Sequence, residues 1–302
     1  MKTQAIALNV PAKSATPRRH SALRSFMRKL FREKRLGAAG AVVAIFFLLV
    51  GIFADFLAPY GMNEVDMGAR MHAPSWEHPF GTDNLGRDLL SRCIYGAQIS
   101  VVIGLSVAVI STFISALIGV VSGYFGGKID MLIQRFVDAW MSFPGLVVLI
   151  VVASVFGSGI TQIVITLGLL IGIGGSRIVR SAVVSVREDM YIHAAKSIGA
   201  SAPRILWRHV LPNVVAPLIV LFSSSVGAAI LAESGLSFLG LGVPPPHPTW
   251  GGMLSGNGRT YMLQGPWLAL APGICLTLVV YAINVFGDAL RDMLDPRMRG
   301  TR

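Results

Sequence analysis

The stretch "HAAKSIGASAPRILWRHVLPN", residues 193–213, decides how this chain is read. It is polar and basic, yet it lies between two of the most apolar runs in the sequence. Tyr191, Ala194, Ala195 and Ile198 recur at i, i+3, i+4 and i+7, which predicts one face of a short helix. Two adjacent alanines let that helix approach another surface closely, and Gly199 can adopt the left-handed conformation that ends it. Ser201 can cap a second piece, Pro203 is tolerated in its first turn, and Leu206, His209 and Val210 share a side before Pro212 interrupts the pattern. The expectation is two short helices at an angle, protruding from a membrane. They serve either as a connector resting on lipid headgroups or as a docking element for a cytosolic partner.

The membrane follows from bulk composition. Only 14% of the 302 residues are charged and 53% are hydrophobic, whereas about 25% are charged in soluble domains. The formal charge of +11 could suggest nucleic acid, but residues 1–35 hold ten Lys/Arg against Glu33 alone, so the rest of the chain is nearly balanced and a nucleic-acid partner loses its support. Cys93 and Cys275 lie far apart in sequence, and that spacing indicates neither a metal cluster nor a disulfide framework.

Six runs approach the roughly 20 apolar residues that a spanning helix needs: 36–57, 99–121, 133–156 with a break at Pro144-Gly145, 160–179, 214–233 and 267–287. The first is not expected to be a signal peptide, because its basic region and its apolar core are both too long and no small-residue cleavage site appears before Pro59. With the N terminus inside, 22 Lys/Arg fall on the cytosolic side and four (Arg70, Arg87, Arg92, Arg259) outside, as the positive-inside rule requires. Both termini and the 193–213 stretch are therefore expected in the cytosol. The chain divides into a cytosolic basic arm (1–35), a first span (36–57), an extracytoplasmic segment (58–97), a core of five spans (98–290) containing a cytosolic loop (180–213), and a cytosolic tail (291–302). Within the arm, Leu23, Phe26, Met27, Leu30 and Phe31 recur at helical spacing among basic residues. That pattern suits a helix lying on anionic membrane lipid.

The chain carries no visible engine of its own. "SGYFGGKID" (122–130) lacks the first glycine and the Ser/Thr of a phosphate-binding loop. Gly119, Gly123 and Gly127, like Gly168 and Gly172, instead follow the small-xxx-small spacing of closely packed membrane helices. Hydrolase motifs are absent from the sequence, so no catalytic residue and no metal ligand is assigned. Asp138, one turn after Arg135, reads as a local ion pair. Glu233 falls at the outer edge of span five and, with Ser223, Ser224 and Ser225, is a candidate for a solute path, although interhelical hydrogen bonding explains the serines equally well. The pairs Asp83/Arg87 and Asp88/Arg92 predict a helix lying flat on the outer surface. "PPPHPTW" (244–250) predicts a stiff loop near a channel mouth.

The opening stretch resembles the Glu-Ala-Ala loop of bacterial ABC-importer permeases. His193-Ala194-Ala195, Gly199 and Leu211-Pro212 stand at that motif's spacing, with His193 in place of the usual acid and His209 in place of the usual Ile. "FGTDNLGRDLLSRCIYGAQIS" (80–100), "SGYFGGKID", "LSFLGLGVPPPHPTWGGML" (236–254) and "NVFGDALRDMLDP" (284–296) look like the dipeptide/oligopeptide/nickel branch of that family, and its DppC/OppC-type subunit in particular. The resemblance implies an all-α polytopic membrane protein of the type I ABC-importer permease fold, with six transmembrane helices in a bacterial inner membrane. It implies a second homologous permease subunit, two cytosolic ABC ATPase subunits and an extracytoplasmic solute-binding protein. ATP and Mg would be used by those partners, with no cofactor bound to this chain. Tyr191, His193, Ala194, Ala195, Ile198, Gly199, Leu211 and Pro212 would then form the ATPase-docking loop of a peptide importer. A nickel or other small-solute importer of the same family, and a self-sufficient carrier or channel, are the alternatives.

Overall fold

The computed structural model describes residues 22–294, which are helical almost throughout. Five helices among them are long and apolar enough to cross a membrane, and a pair of helices bent by 77° passes the same test when taken together, which makes six candidates if the pair is one span. In chain order the helices are α1 (Ala22–Glu33), α2 (Arg35–Ile52), α3 (Ala54–Leu57), α4 (Leu89–Phe125), α5 (Gly127–Met141), α6 (Gly145–Phe156), α7 (Ile160–Arg187), α8 (Met190–Ser197), α9 (Ala202–Ile205), α10 (Leu211–Phe238), α11 (Trp250–Met253), α12 (Arg259–Tyr261) and α13 (Trp267–Leu294).

The bent pair is α5 and α6. Pro144 supplies no N–H and sits at the cap of α6. The 12 residues of α6 reach only about 18 Å, too short to cross alone. α5 is instead held to α7 and to the end of α4. Asp130 accepts from Arg180 Nε at 2.6 Å and from Ser122 Oγ at 2.5 Å, and Gln134 Nε2 donates to that same hydroxyl at 2.9 Å. Asp138 pairs with Arg177 on α7, across the helix interface, rather than with Arg135 one turn away.

The centre of the molecule is the α4–α7 contact, where glycines remove the side chains that would hold the backbones apart. A Cβ on Gly119 would lie 2.6 Å from Val179 Cβ and 2.7 Å from the Ser176 carbonyl; one on Gly172 would lie 3.0 Å from the Ser111 carbonyl. Gly123 and Gly168 are equally close to α7 and α4. Gly127 is different: nothing lies near it, and with φ +54° it begins α5 instead of packing a helix pair. Around this contact Ile103, Val107, Leu149, Leu167, Ala229 and Leu236 form a buried cluster drawn from α4, α6, α7 and α10. On the other flank α2 meets α13 closely, since a Cβ on Gly40 would fall 2.7 Å from the Ala282 carbonyl. There Leu30 and Phe26 of α1 join Ala38, Ala41, Ala289 and Met293, while Met27 and Phe31 stay exposed. Leu23 is not among the described side chains.

The segment before α4 corrects one expectation. Residues 80–88 form no flat helix; they make a turn closed by a Thr82–Asp88 bridge, with Gly86 at φ +76°. Asp88 does not pair with Arg92, because its carboxylate is taken up in capping α4: it accepts from Ser91 N and Oγ at 2.7 Å and meets His78 Nδ1 at 2.9 Å. α4 thus starts at Leu89, ten residues before the apolar run that announces it, and extends over 37 residues.

Candidate functional site

The 193–213 stretch begins with α8, which is anchored by one face and open on the other. Ile192 is fully buried and Ala195 nearly so, against Tyr124, Val179, Val183, Ile205, Val210 and Val214. Tyr191, Ala194 and Ile198 turn away from that cluster, so the four residues expected to share a face are divided: Ala195 packs inward and the other three are exposed. Met190 (87% exposed), Ile198 (86%) and Trp207 (73%) give the open side an apolar surface. His193 is exposed, with Nε2 4.0 Å from Glu188.

Gly199 ends α8 with φ +80°. Its N–H donates to Lys196 O at 3.0 Å, and Ala200 N–H donates to Ala195 O at 3.1 Å. This is the paired 5→2 and 6→1 bonding of a left-handed helix terminus. Ser201 follows at the cap position of α9, but its hydroxyl makes no capping bond.

The expected separate second helix is not separate. α9 passes through a π-helical turn at Leu206–Val210 directly into α10, giving one helical run from Ala202 to Phe238. Pro212 lies in the first turn of α10 instead of ending a helix. A proline there withholds one backbone donor from the preceding turn, and a wider i→i+5 turn is a recognised accommodation of such a defect. Leu211 is half-buried on the α8 cluster and Pro212 is exposed. Asn213 Nδ2 donates to Tyr191 Oη at 3.1 Å and to His209 O at 2.6 Å, joining α8 to the start of span five. Desolvation, reinforced by Asp189, raises the Tyr191 phenol above its ordinary pKa, so it stays neutral at physiological pH. Ile192, Trp207 and Asn213 were not singled out from sequence. The i, i+3 spacing of Ile192 and Ala195 was a signal for the first, but contacts across the elbow had none.

The candidates for a solute path separate from one another. Ser223 and Ser225 are buried and Ser224 is exposed; Ser223 and Ser224 return their hydroxyls to the Val220 carbonyl of their own helix. Glu233 is 1% exposed and accepts from Ser237 Oγ at 2.6 Å and from Ser234 Oγ at 3.4 Å. It lies behind Ser237 and Thr249, which line a cavity of about 390 Å³ at the far end of α10 from the elbow. The 244–248 loop lines that cavity together with Asp83, Arg87, Leu89 and Arg92.

A helical core with several candidate spans, an exposed elbow that leads into one of them and a cavity at the opposite end describe a polytopic membrane protein. The chain belongs to the family described as the binding-protein-dependent transport system inner membrane component, whose model matches residues 115–300; residues 21–74 match the N-terminal transmembrane domain of oligopeptide transport permease C. A Brucella suis protein named for a peptide transport system permease is 40% identical over 90% of this chain and 91% of its own length. The dipeptide transport system permease protein DppC of Alkalihalophilus pseudofirmus is 39% identical over 90% of this chain and 89% of its own. Among solved structures, a chain of the MetNI methionine ABC transporter in an inward-facing form is similar in fold, with TM-score 0.55, 16% identity, and coverage of 68% of this chain and 96% of that one.

Proposed function

We propose that the chain is one of two permease halves of an ATP-driven importer that carries short peptides inward. Cytosolic ATPase subunits, where ATP and Mg would bind, are taken to grip the elbow formed by α8, Gly199 and Trp207. An extracytoplasmic binding protein is taken to deliver solute to the opposite face. The observation that carries this reading is the exposure of Met190 and Ile198 beside α8, which a buried anchor holds, and of Trp207 on the helical run that continues into a span. The peptide assignment draws on the names of the relatives, and the cytosolic placement of both termini and of the elbow on the Lys/Arg asymmetry. His193 removes an acid from the docking surface, so docking rests on apolar contact more than on a salt bridge.

The test is Ala194→Glu, which places a charge on the open face without touching the buried one. The variant is expected to insert and assemble with the second permease but to lose the ATPase on co-purification and to stop uptake. Retained ATPase binding would overturn the docking role. Solute flux through the reconstituted chain alone, without ATP or partner, would replace the importer with a self-sufficient channel or carrier.

A further inference from the structure

The cavity at the far end of α10 is electrostatically lopsided. Asp83 is buried and accepts from Leu85 N at 2.8 Å, Arg87 N at 3.1 Å and Arg87 Nε at 2.7 Å, so Arg87 is its close partner. Arg92 is a second cation on the same wall. Its side chain is 10% exposed, its Nε is 4.0 Å from Asp83, and its Nη1 makes two long contacts of 3.3 Å, to Met62 O and Asn63 Oδ1. Its Nη2 has no partner among the described residues. A guanidinium offers five N–H donors in a planar fork suited to a carboxylate. One carboxylate shared by two guanidinium groups therefore leaves a positive charge and unused donors facing the cavity. Glu233 does not cancel this, since it sits behind the wall with its oxygens engaged by Ser237 and Ser234. The volume, about 390 Å³, falls in the range of small-molecule sites.

We propose that this cavity is a way-station for solute, in which Arg92, assisted by Arg87, holds the free carboxylate of a short peptide or a similar small acid. The assignment rests on the peptide reading above and adds where, and by which group, the permease itself touches its cargo. A partly desolvated charge-assisted pair of this kind is strong enough to orient a carboxylate and weak enough, beside Asp83, to release it.

The experiment uses the purified permease–ATPase complex in lipid nanodiscs, with neither binding protein nor ATP, and saturation-transfer NMR titration of L-alanyl-L-alanine against its C-terminal amide. The acid is expected to bind at least tenfold more tightly than the amide. Arg92→Gln is expected to erase that difference, and Arg92→Lys to keep part of it. Arg87→Gln, at a more exposed position, is expected to narrow it. Equal binding of acid and amide to the unaltered complex would overturn the proposal, as would an Arg92→Gln complex that assembles and binds the acid within twofold of normal. Unchanged dipeptide binding accompanied by weakened attachment of the binding protein would also overturn it, in favour of a protein carboxylate as the occupant. Failure of the import reading has a separate signature: absence of ATP-driven uptake in the complete system, whatever the acid and amide do here.

Discussion

Gly199 offers a direct way to ask whether the elbow works through its shape. Its φ is +80°, and nothing lies within 4 Å of where a Cβ would be, so a substitution meets backbone strain and no clash. An L-residue with a Cβ costs about 1–2 kcal/mol in the left-handed region, and a β-branched one is a clear outlier there. A loss of that size lowers the ratio of native to non-native elbow by a factor of about 5–30. Gly199→Val is therefore expected to leave insertion and the α4–α7 core intact while ATPase co-purification and uptake fall, by up to that factor. Gly199→Asn is the informative control, because asparagine tolerates the left-handed conformation while adding more bulk than alanine. The assay is the amount of ATPase retained per permease on affinity purification from membranes, paired with uptake. Should Val behave like Gly, the turn does not transmit force. Should Asn be as damaging as Val, the position matters for the space it leaves and not for its torsion.

Gly119→Ala drives a methyl group into Val179 and the Ser176 carbonyl; overpacking of this kind costs about 1–3 kcal/mol and is expected to lower the thermal midpoint of the purified complex, with Gly235→Ala as the control at a helical glycine where a Cβ meets no neighbour. Trp207→Ser is expected to reduce ATPase binding without lowering the thermal midpoint, since the ring is 73% exposed; a fall in stability would place it in the fold instead of the interface. Asp130→Asn leaves Arg180 without its close partner, and loss of a charge-assisted bond of about 1.5–3 kcal/mol is expected to appear as protease sensitivity near α5. A Ser197→Cys variant should react with a membrane-impermeant maleimide only in inside-out vesicles; labelling of intact cells would reverse the orientation.

The spans were legible because crossing hydrocarbon demands long apolar runs, and the break at Pro144 was legible because a missing N–H is a local fact. Gly199 was readable for the same reason. What stayed hidden depends on partners distant in sequence. Asp138 has Arg135 one turn away, yet it reaches Arg177 because α5 lies against α7. Asp88 looks ready to pair with Arg92 at helical spacing, but the cap of α4 and His78 claim it first. Periodicity gave Ala195 a share in an exposed face, whereas the cluster beneath α8 selects Ile192 and Ala195 as the pair that points inward. The motif picked out residues 193–213; only packing could say which of its side chains are exposed.

The unbroken run from Ala202 to Phe238 places Trp207 and Ser237 on one lever, about 45 Å apart at 1.5 Å per residue. No loop intervenes to absorb displacement, so a tilt of a few degrees applied at the tryptophan becomes a shift of ångströms at the serine that lines the arginine cavity. The compliant points are the π turn and Pro217, inside α10. If the elbow is driven as proposed, stiffening or loosening those two places would change how far the cavity wall moves for a given push without altering a residue at either end.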